Sequence, residues 1–340
     1  MADVLVTGSN GHLGCALVRA LIDSGQSVRA MVRPTSDLSG LSQVDVEYFR
    51  ADMRDQAAII KAAEGCRTIY NLAAVYQSWA KDVQQQIIDP AMAGARNVVI
   101  AAQRAGVDRL VHVSSVAALG TAGSPDEILD ETNWCKTDQD PYITAKTESE
   151  KLVISLSDEL GVDAVIAIPG LIVGPLFWKL TISTHLVTGS VGYDWPIWWH
   201  GGFAFGDVRD IALGLIAASE HGKNGERYIL SGENLSIRDF FGRVRAIVGR
   251  RGPIARMRRP VAMAGAALME AGAWITGKPP QMTRTQIASL LGRYMFVTTN
   301  KAQRDLGFSH RPIEESLYDT VEWGMNYGFV SPQKRLVRPG

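Results

Sequence analysis

Tyr142-Ile143-Thr144-Ala145-Lys146 places a phenol and an ammonium four residues apart, on one face of a helix. A neighbouring cation stabilises phenolate and lowers a tyrosine pKa from its usual ~10. Such a tyrosine is suited to give a proton to an alkoxide as hydride reaches a carbonyl carbon. Upstream, Ser114 and Ser115 follow the apolar run Leu110-Val111-His112-Val113. Ligands collect at the carboxyl ends of parallel strands, so Ser115 is expected to hydrogen-bond the substrate oxygen and share its charge with Tyr142.

A second constellation opens the chain. Thr7-Gly8-Ser9-Asn10-Gly11-His12-Leu13-Gly14 lies between an apolar strand and a helical pattern. Gly8 suits a tight exit, Gly11 lets the backbone approach a pyrophosphate, and Gly14 lets the helix press on the sheet; the helix N-terminus then offers free N–H groups to phosphates. The spacing is GxxGxxG, not GxGxxG. The next strand ends at Val32 and Arg33, where a carboxylate would bind a ribose 2′-hydroxyl. A guanidinium there favours a 2′-phosphate, hence NADPH/NADP over NADH/NAD.

Several elements must position these groups. Val4–Val6, Ser27–Val32, Arg67–Leu72, Leu110–Val113 and Asp163–Ile168 are predicted strands, alternating with helices that place Leu13, Leu17, Val18 and Leu21 on one face and run over 93–104 and 142–160. Short buried strands separated by helices imply an α/β architecture, a parallel sheet covered on both faces. Beyond Pro175, residues 177–206 read as irregular loops, Glu226–Leu230 as one more strand, and the chain from Ser236 as mainly helical.

Composition narrows the function. The 340 residues carry 35 Lys+Arg against 35 Asp+Glu, a formal charge of zero that argues against a non-specific nucleic-acid binder. Cys15, Cys66 and Cys135 form no metal-type spacing or disulfide framework, as in a reducing compartment. The N-terminus has no signal-peptide pattern, and Val261–Ile275, about fifteen residues with Glu270 inside, falls short of the ~20 needed to span a bilayer. A cytoplasmic protein is expected. The same segment is predicted to be a helix packed over the pocket, with an interfacial helix flanked by Arg256, Arg258 and Arg259 as the alternative.

With these motifs in place, the chain resembles an extended short-chain dehydrogenase/reductase, of the NAD-dependent epimerase/dehydratase superfamily, over most of its length. Ala51-Asp52-Met53-Arg54 resembles the family's adenine-contacting segment, Asn71-Leu72-Ala73-Ala74 the stretch lining the cofactor, and Pro169-Gly170-Leu171-Ile172-Val173-Gly174-Pro175 the segment passing the nicotinamide. Phe205-Gly206-Asp207-Val208-Arg209-Asp210 resembles the return to the core domain, and Val28–Asp37 is similar to the dihydroflavonol-4-reductase-like branch. The family pattern puts the catalytic hydroxyl five residues before a glycine, which selects Ser115 before Gly120, with Ser114 as understudy. A frequent family Asn is replaced by Ala91, while Gly94 and Asn97 are retained, which mildly disfavours a sugar-nucleotide enzyme. The resemblance implies a Rossmann-type doubly wound sheet over 1–174 and a smaller, mainly helical substrate region over 175–340, with about 204–232 returning to the core. It also implies cofactor contacts from Thr7, Gly8, Asn10, Gly11, His12, Leu13, Gly14, Arg33, Asp52, Met53, Leu72, Ala73, Ala74, Tyr142, Lys146, Pro169, Gly170, Leu171 and Ile172. Lys146 would hold the ribose. A homodimer is frequent among such proteins.

Substrate selection should come from aromatics outside these motifs. Trp178, Tyr193, Trp195, Trp198 and Trp199 crowd one span with His200, Tyr76 and Trp79 follow the cofactor-lining stretch, and Trp134 precedes the catalytic helix. Aromatics line largely apolar pockets, and Lys179 is the span's single basic side chain beside its histidines. Tyr76, Trp79, Ser115, Trp178, Trp195, Trp198 and Trp199 are therefore the expected substrate contacts. The reading is an NADPH-dependent reductase of a bulky hydrophobic ketone or aldehyde, or the reverse alcohol dehydrogenase. The rivals are a sugar-nucleotide epimerase or dehydratase, a hydroxysteroid-type dehydrogenase and a non-catalytic dinucleotide sensor.

Overall fold

The structure, a computed structural model, describes residues 2–75, 77–136, 140–192, 197–277, 280, 282–333 and 336–338. The first half alternates: β1 (Val4–Thr7), α1 (His12–Asp23), β2 (Val28–Val32), β3 (Glu47–Arg50), α2 (Gln56–Ala63), β4 (Thr68–Asn71), α3 (Asp89–Ala105), β5 (Arg109–Val113), α4 (Pro141–Leu160) and β6 (Ala164–Pro169). β7 (Leu171–Val173), α5 (Ile182–Gly192), β8 (Ile197–Trp198), β9 (Gly202–Asp207), α6 (Val208–His221) and β10 (Arg227–Leu230) follow. The chain continues through β11 (Asn234–Ser236), α7 (Ile237–Ile247), β12 (Ala255–Arg256), α8 (Arg259–Thr276), α9 (Arg284–Leu290), β13 (Tyr294–Met295), α10 (Asn300–Leu306) and α11 (Ile313–Asn326).

The expected doubly wound sheet is present: seven parallel strands in the order β10-β6-β5-β4-β1-β2-β3. Strands such as β1 and β6 are buried along their whole length because helices cover both faces, and their side chains are almost all apolar. One face carries Ile59 of α2, Val98 and Val99 of α3 and Val153 of α4; the other carries Leu17 and Leu21 of α1 with Ile211 and Leu215 of α6. The strand order reverses between β1 and β4, which opens a crevice at their carboxyl ends. The edge strand β3 escaped the sequence reading because its Glu-Tyr-Phe-Arg is exposed and polar; Glu47 pairs across it with Arg29 at 2.8 Å.

The reading of 177–206 as irregular loops is corrected: α5, β8 and β9 occupy much of that span. β9 is fully buried and pairs with β7 and β13 in parallel and with β11 antiparallel, forming a second small sheet. Its glycine and aromatic content disguised a strand buried on both sides. α8 forms where a helix was predicted and reaches the cavity's Trp79 through Trp274, while among its residues only Ala266 and Ala273 are buried. No helix among the described residues is long and apolar enough to cross a membrane.

Candidate active site

The glycine turn is shaped by close approaches. Gly8 has φ +68°, and a Cβ there would sit 2.9 Å from the Ala73 nitrogen; a Cβ on Gly14 would sit 2.3 Å from the Gly8 carbonyl oxygen. Side chains at either position would drive β4 or α1 off the turn. α1 begins after Gly11 with no side-chain cap and no acidic residue in its first turn. Its leading N–H groups therefore have no anionic or hydroxyl partner from the chain's own cap, an arrangement that fits a phosphate group.

The neighbouring cofactor-type residues converge on this turn. Thr7 Oγ1 accepts from Ala73 N at 3.1 Å and donates to Asn71 Oδ1 at 2.7 Å, joining the ends of β1 and β4. Asn10 donates to the Asp37 carbonyl at 3.2 Å, which ties the turn to the loop after β2 where Arg33 is exposed. Both Asp52 oxygens accept from Arg54, at 2.9 and 3.0 Å, and this pairing holds the Asp52 carboxyl below the usual range. Asn97 donates to the Met53 carbonyl at 2.9 Å, and Gly94 packs against the Met53 side chain, so these two α3 residues hold the Asp52–Met53 segment.

His12 faces inward. Its Nε2 meets the Pro175 carbonyl at 2.7 Å and its ring packs edge-on to Phe177, so it anchors the 169–175 segment while Leu13 is buried beside it. Leu171 and Ile172 lie in β7, where the Ile172 carbonyl accepts from Ser183 at 2.6 Å; Gly170 abuts Ser231 so closely that a Cβ would meet its Oγ at 2.1 Å.

Capping positions the candidate trio of Ser115, Tyr142 and Lys146. Asp140 caps α4, accepting from Tyr142 N at 2.8 Å, and Pro141 occupies the first helical position, so Tyr142 starts the first turn. Ser115 lies two residues past the end of β5 and caps the short 3-10 helix over 116–119, accepting from Ala117 N at 3.2 Å. The Ser115 hydroxyl acts on the Tyr142 phenol, favouring its ionised form. Ser114 points elsewhere: it donates to Glu150, which also accepts from Arg227 at 2.6 Å in a wholly buried network. That commits Ser114 to the interior and leaves Ser115 as the candidate hydroxyl.

One expectation is overturned. Burial pushes the Tyr142 phenol up to about 12, against the opposing effect of the Ser115 hydrogen bond, and Lys146 is not among the groups acting on it. The Lys146 ammonium donates instead to the Val113 carbonyl at 3.1 Å, and burial brings it down to about 8 against the favourable charge of Glu150. A phenol so held stays protonated at neutral pH, the state a proton donor requires.

His112 completes a chain behind the trio. Asn71 Nδ2 donates to its Nδ1 at 3.0 Å, and its Nε2 has no partner among the described residues. Burial takes His112 down to about 3 and His12 down to about 4. Both are neutral when folded and take up protons when the chain unfolds below pH ~6.5. The unfolded state then binds more protons, so stability falls as pH drops from 6.5 toward 4, by on the order of 3 kcal/mol for each histidine. Urea unfolding at pH 7 and pH 4.5 checks this, and equal stabilities at the two pH values would sink it.

Beside Tyr142 opens a cavity of about 380 Å³ lined by Gln77, Ser78, Trp79, Ala80, Gln86 and Tyr142, with Ile182, Pro280, Thr283 and Gln286 closing the far wall. Of the expected substrate aromatics, Trp79 is there. Tyr76 and Trp195, with Tyr193, lie outside the described residues.

Trp178, Trp198 and Trp199 are withdrawn as pocket lining. Leu176 takes φ +69° directly after Pro175, Phe177 is buried, and Trp178 packs at Gly40 and edge-on to Trp323. Trp198 lies under Arg238 and against His200, and Trp199 against Phe241. Trp134 lies under Arg227, 3.7 Å from ring centroid to guanidinium carbon. These tryptophans found partners within the fold, which composition could not foresee. Pro280, Thr283 and Gln286 of the far wall were missed because they lie more than a hundred positions from Tyr142; only Thr283-Arg284-Thr285-Gln286 carried a signal, a capping box that the structure shows at the start of α9.

The chain belongs to the NAD dependent epimerase/dehydratase family, whose profile matches residues 4–231. It is 31% identical over 331 residues to sterol demethylase protein B of Methylococcus capsulatus, covering 96% of this chain and 99% of that one. It is 27% identical over 349 residues to cinnamoyl-CoA reductase 1 of Arabidopsis thaliana, covering 97% and 91%. Dihydroflavonol 4-reductase of Zea mays is 31% identical over 205 residues, 54% of this chain and 56% of that one. The crystal structure of gox2253 superposes with a TM-score of 0.84 at 31% identity, covering 97% and 100% of the two chains. Family and relatives together indicate oxidoreductase activity.

Proposed function

We propose that this chain is an NADPH-dependent reductase of a bulky, uncharged aromatic or hydrophobic ketone or aldehyde, running in reverse as an alcohol dehydrogenase. The observation that carries this reading is the cavity beside Tyr142: Trp79, Ala80, Ile182 and Pro280 offer apolar contact, the remaining lining is neutral and polar, and no charged side chain lines it among the described residues. Such a wall suits a ring system bearing hydroxyl or carbonyl groups and offers no cation to a nucleotide-sugar diphosphate. The reductases among the relatives support the same class.

A reduced nicotinamide held in this fold would supply hydride to the carbonyl carbon. The glycine turn and the uncapped start of α1 would hold the pyrophosphate, and Lys146 the adjoining ribose. Tyr142 donates its proton to the carbonyl oxygen, while Ser115, which acts on that phenol, orients the same oxygen and shares its developing charge. Arg33 would take the 2′-phosphate: it is exposed, and its guanidinium has no hydrogen-bond partner among the described residues, whereas Arg54 is committed to Asp52.

The test is reduced-nicotinamide absorbance with NADPH, and separately NADH, against a panel of aromatic and aliphatic aldehydes, ketones and keto esters. Consumption with bulky neutral carbonyls is the expected result. Cofactor that copurifies and is never consumed would move the assignment to an epimerase or dehydratase. Arg33→Ala should raise KM for NADPH roughly 10- to 100-fold and leave NADH nearly unchanged, since it removes a charge-assisted contact to phosphate. An unaltered NADPH/NADH ratio would remove Arg33 from the cofactor site.

A further inference from the structure

Helix α8 buries its smallest side chains and exposes its largest. Ala266 and Ala273 face inward, while Val261, Leu268, Trp274 and Ile275 stand 62, 76, 60 and 87% exposed. Val261, Ala264, Leu268, Ala271 and Ile275 are all exposed and recur at helical spacing, so they form one stripe. Packing alone would turn such a helix the other way, with its leucine and isoleucine inward.

The charges around the stripe are one-sided. From Gly249 to Met269 the sequence contains five arginines and no acidic residue. Arg251, Arg256, Arg258 and Arg259 have no side-chain partner among the described residues, and Ile254 stands between them 79% exposed. The helix's one acid, Glu270, is taken up by Arg284 at 2.7 Å.

The helix also borders the cavity. Trp274 meets Trp79 edge-on, with ring centroids 6.3 Å apart, and Pro280, Thr283 and Gln286 of the cavity wall come directly after α8 in the chain.

We propose that α8 and the arginine-rich segment leading into it lie in the surface of an anionic phospholipid bilayer, with the cavity mouth at the membrane boundary. The apolar stripe enters the acyl boundary and the arginines meet headgroup phosphates, a combination that binds without spanning. Charge decides this occupant over a second copy of the chain, because the same face of a copy carries the same arginines and its one acid, Glu270, is already paired with Arg284, leaving nothing to neutralise them. The proposal goes beyond the reductase reading and stands without it.

The test is cosedimentation of the full chain with vesicles of phosphatidylcholine alone or mixed with phosphatidylglycerol. Binding is expected to the anionic vesicles, weakening as salt rises. Brominated acyl chains should quench tryptophan fluorescence in the wild type and much less in Trp274→Phe. Leu268→Glu with Ile275→Glu should cut partitioning by at least about tenfold, with the melting curve and turnover of a soluble carbonyl unchanged. Neutralising Arg256, Arg258 and Arg259 to Gln should cut it by on the order of a hundredfold, roughly fivefold for each charge.

Absence of binding to anionic vesicles at low salt, or equal binding by the double-glutamate variant, would overturn the proposal. So would a dimer in light scattering that this variant dissociates while the wild type ignores vesicles; the face would then belong to a second copy. Vesicle binding by a protein that reduces no carbonyl would overturn the reductase assignment and leave the docking surface standing.

Discussion

Tyr142→Phe should lower kcat for carbonyl reduction by about 100- to 10,000-fold while leaving the dissociation constant for the dinucleotide almost unchanged. Phenylalanine keeps the ring that lines the cavity and removes only the phenol hydroxyl. The loss should therefore fall on turnover. Pre-steady-state reduction with cofactor binding measured separately by fluorescence distinguishes the two; turnover within tenfold of the wild type would remove Tyr142 as proton donor.

The pH dependence carries a second sign. Burial holds the phenol up at about 12, so it is protonated and able to donate throughout the neutral range. Reduction should show no loss from Tyr142 ionisation below pH ~10, whereas the reverse oxidation, which needs phenolate, should accelerate as pH rises.

Glu150→Ala is expected to be the most damaging single change to stability outside the glycine turn, costing about 3–5 kcal/mol. Glu150 is fully buried and receives hydrogen bonds from Ser114 and Arg227; the guanidinium also donates to the Asn133 carbonyl at 2.8 Å. Removing the carboxylate leaves a buried cation without its counterion, and in a chain of this size the melting temperature should fall by roughly 10 °C. Scanning calorimetry measures it, and a drop of less than about 2 °C would show that the network relaxes without strain.

The milder Glu150→Gln should act on chemistry too. The Glu150 charge raises the Lys146 pKa, so its removal should bring Lys146 below about 8 and make it lose its proton earlier. Ser114→Ala should follow the stability pattern in weaker form and Ser115→Ala the activity pattern, which separates two adjacent hydroxyls by what each one touches.

Much of this protein follows from local sequence, because its determinants are short-range. The glycine turn is legible at Gly8 and Gly14, since one backbone torsion and two close approaches exclude any larger residue there. The doubly wound sheet is legible because strands buried on both faces must be almost wholly apolar, as in Val4–Thr7 and Ala164–Pro169. The catalytic trio is legible because a four-residue helical spacing and a strand end put chemistry at predictable places.

Tertiary structure decided what depends on partners far away in sequence. Whether a tryptophan lines a cavity or packs the interior is set by the surface it meets: Trp178 met Gly40 and Trp323, while Trp79 met the cavity and Trp274. The Tyr142 pKa was read from the nearby cation, yet the surrounding fold withdrew water from the phenol and directed Lys146 to the Val113 carbonyl, reversing the sign. Helical periodicity in α8 marked an apolar stripe but not which side of it faces the protein. The tertiary packing set that orientation, burying Ala266 and Ala273 and leaving Leu268 exposed, because a helical repeat does not say which of its faces meets a neighbour until the chain has folded.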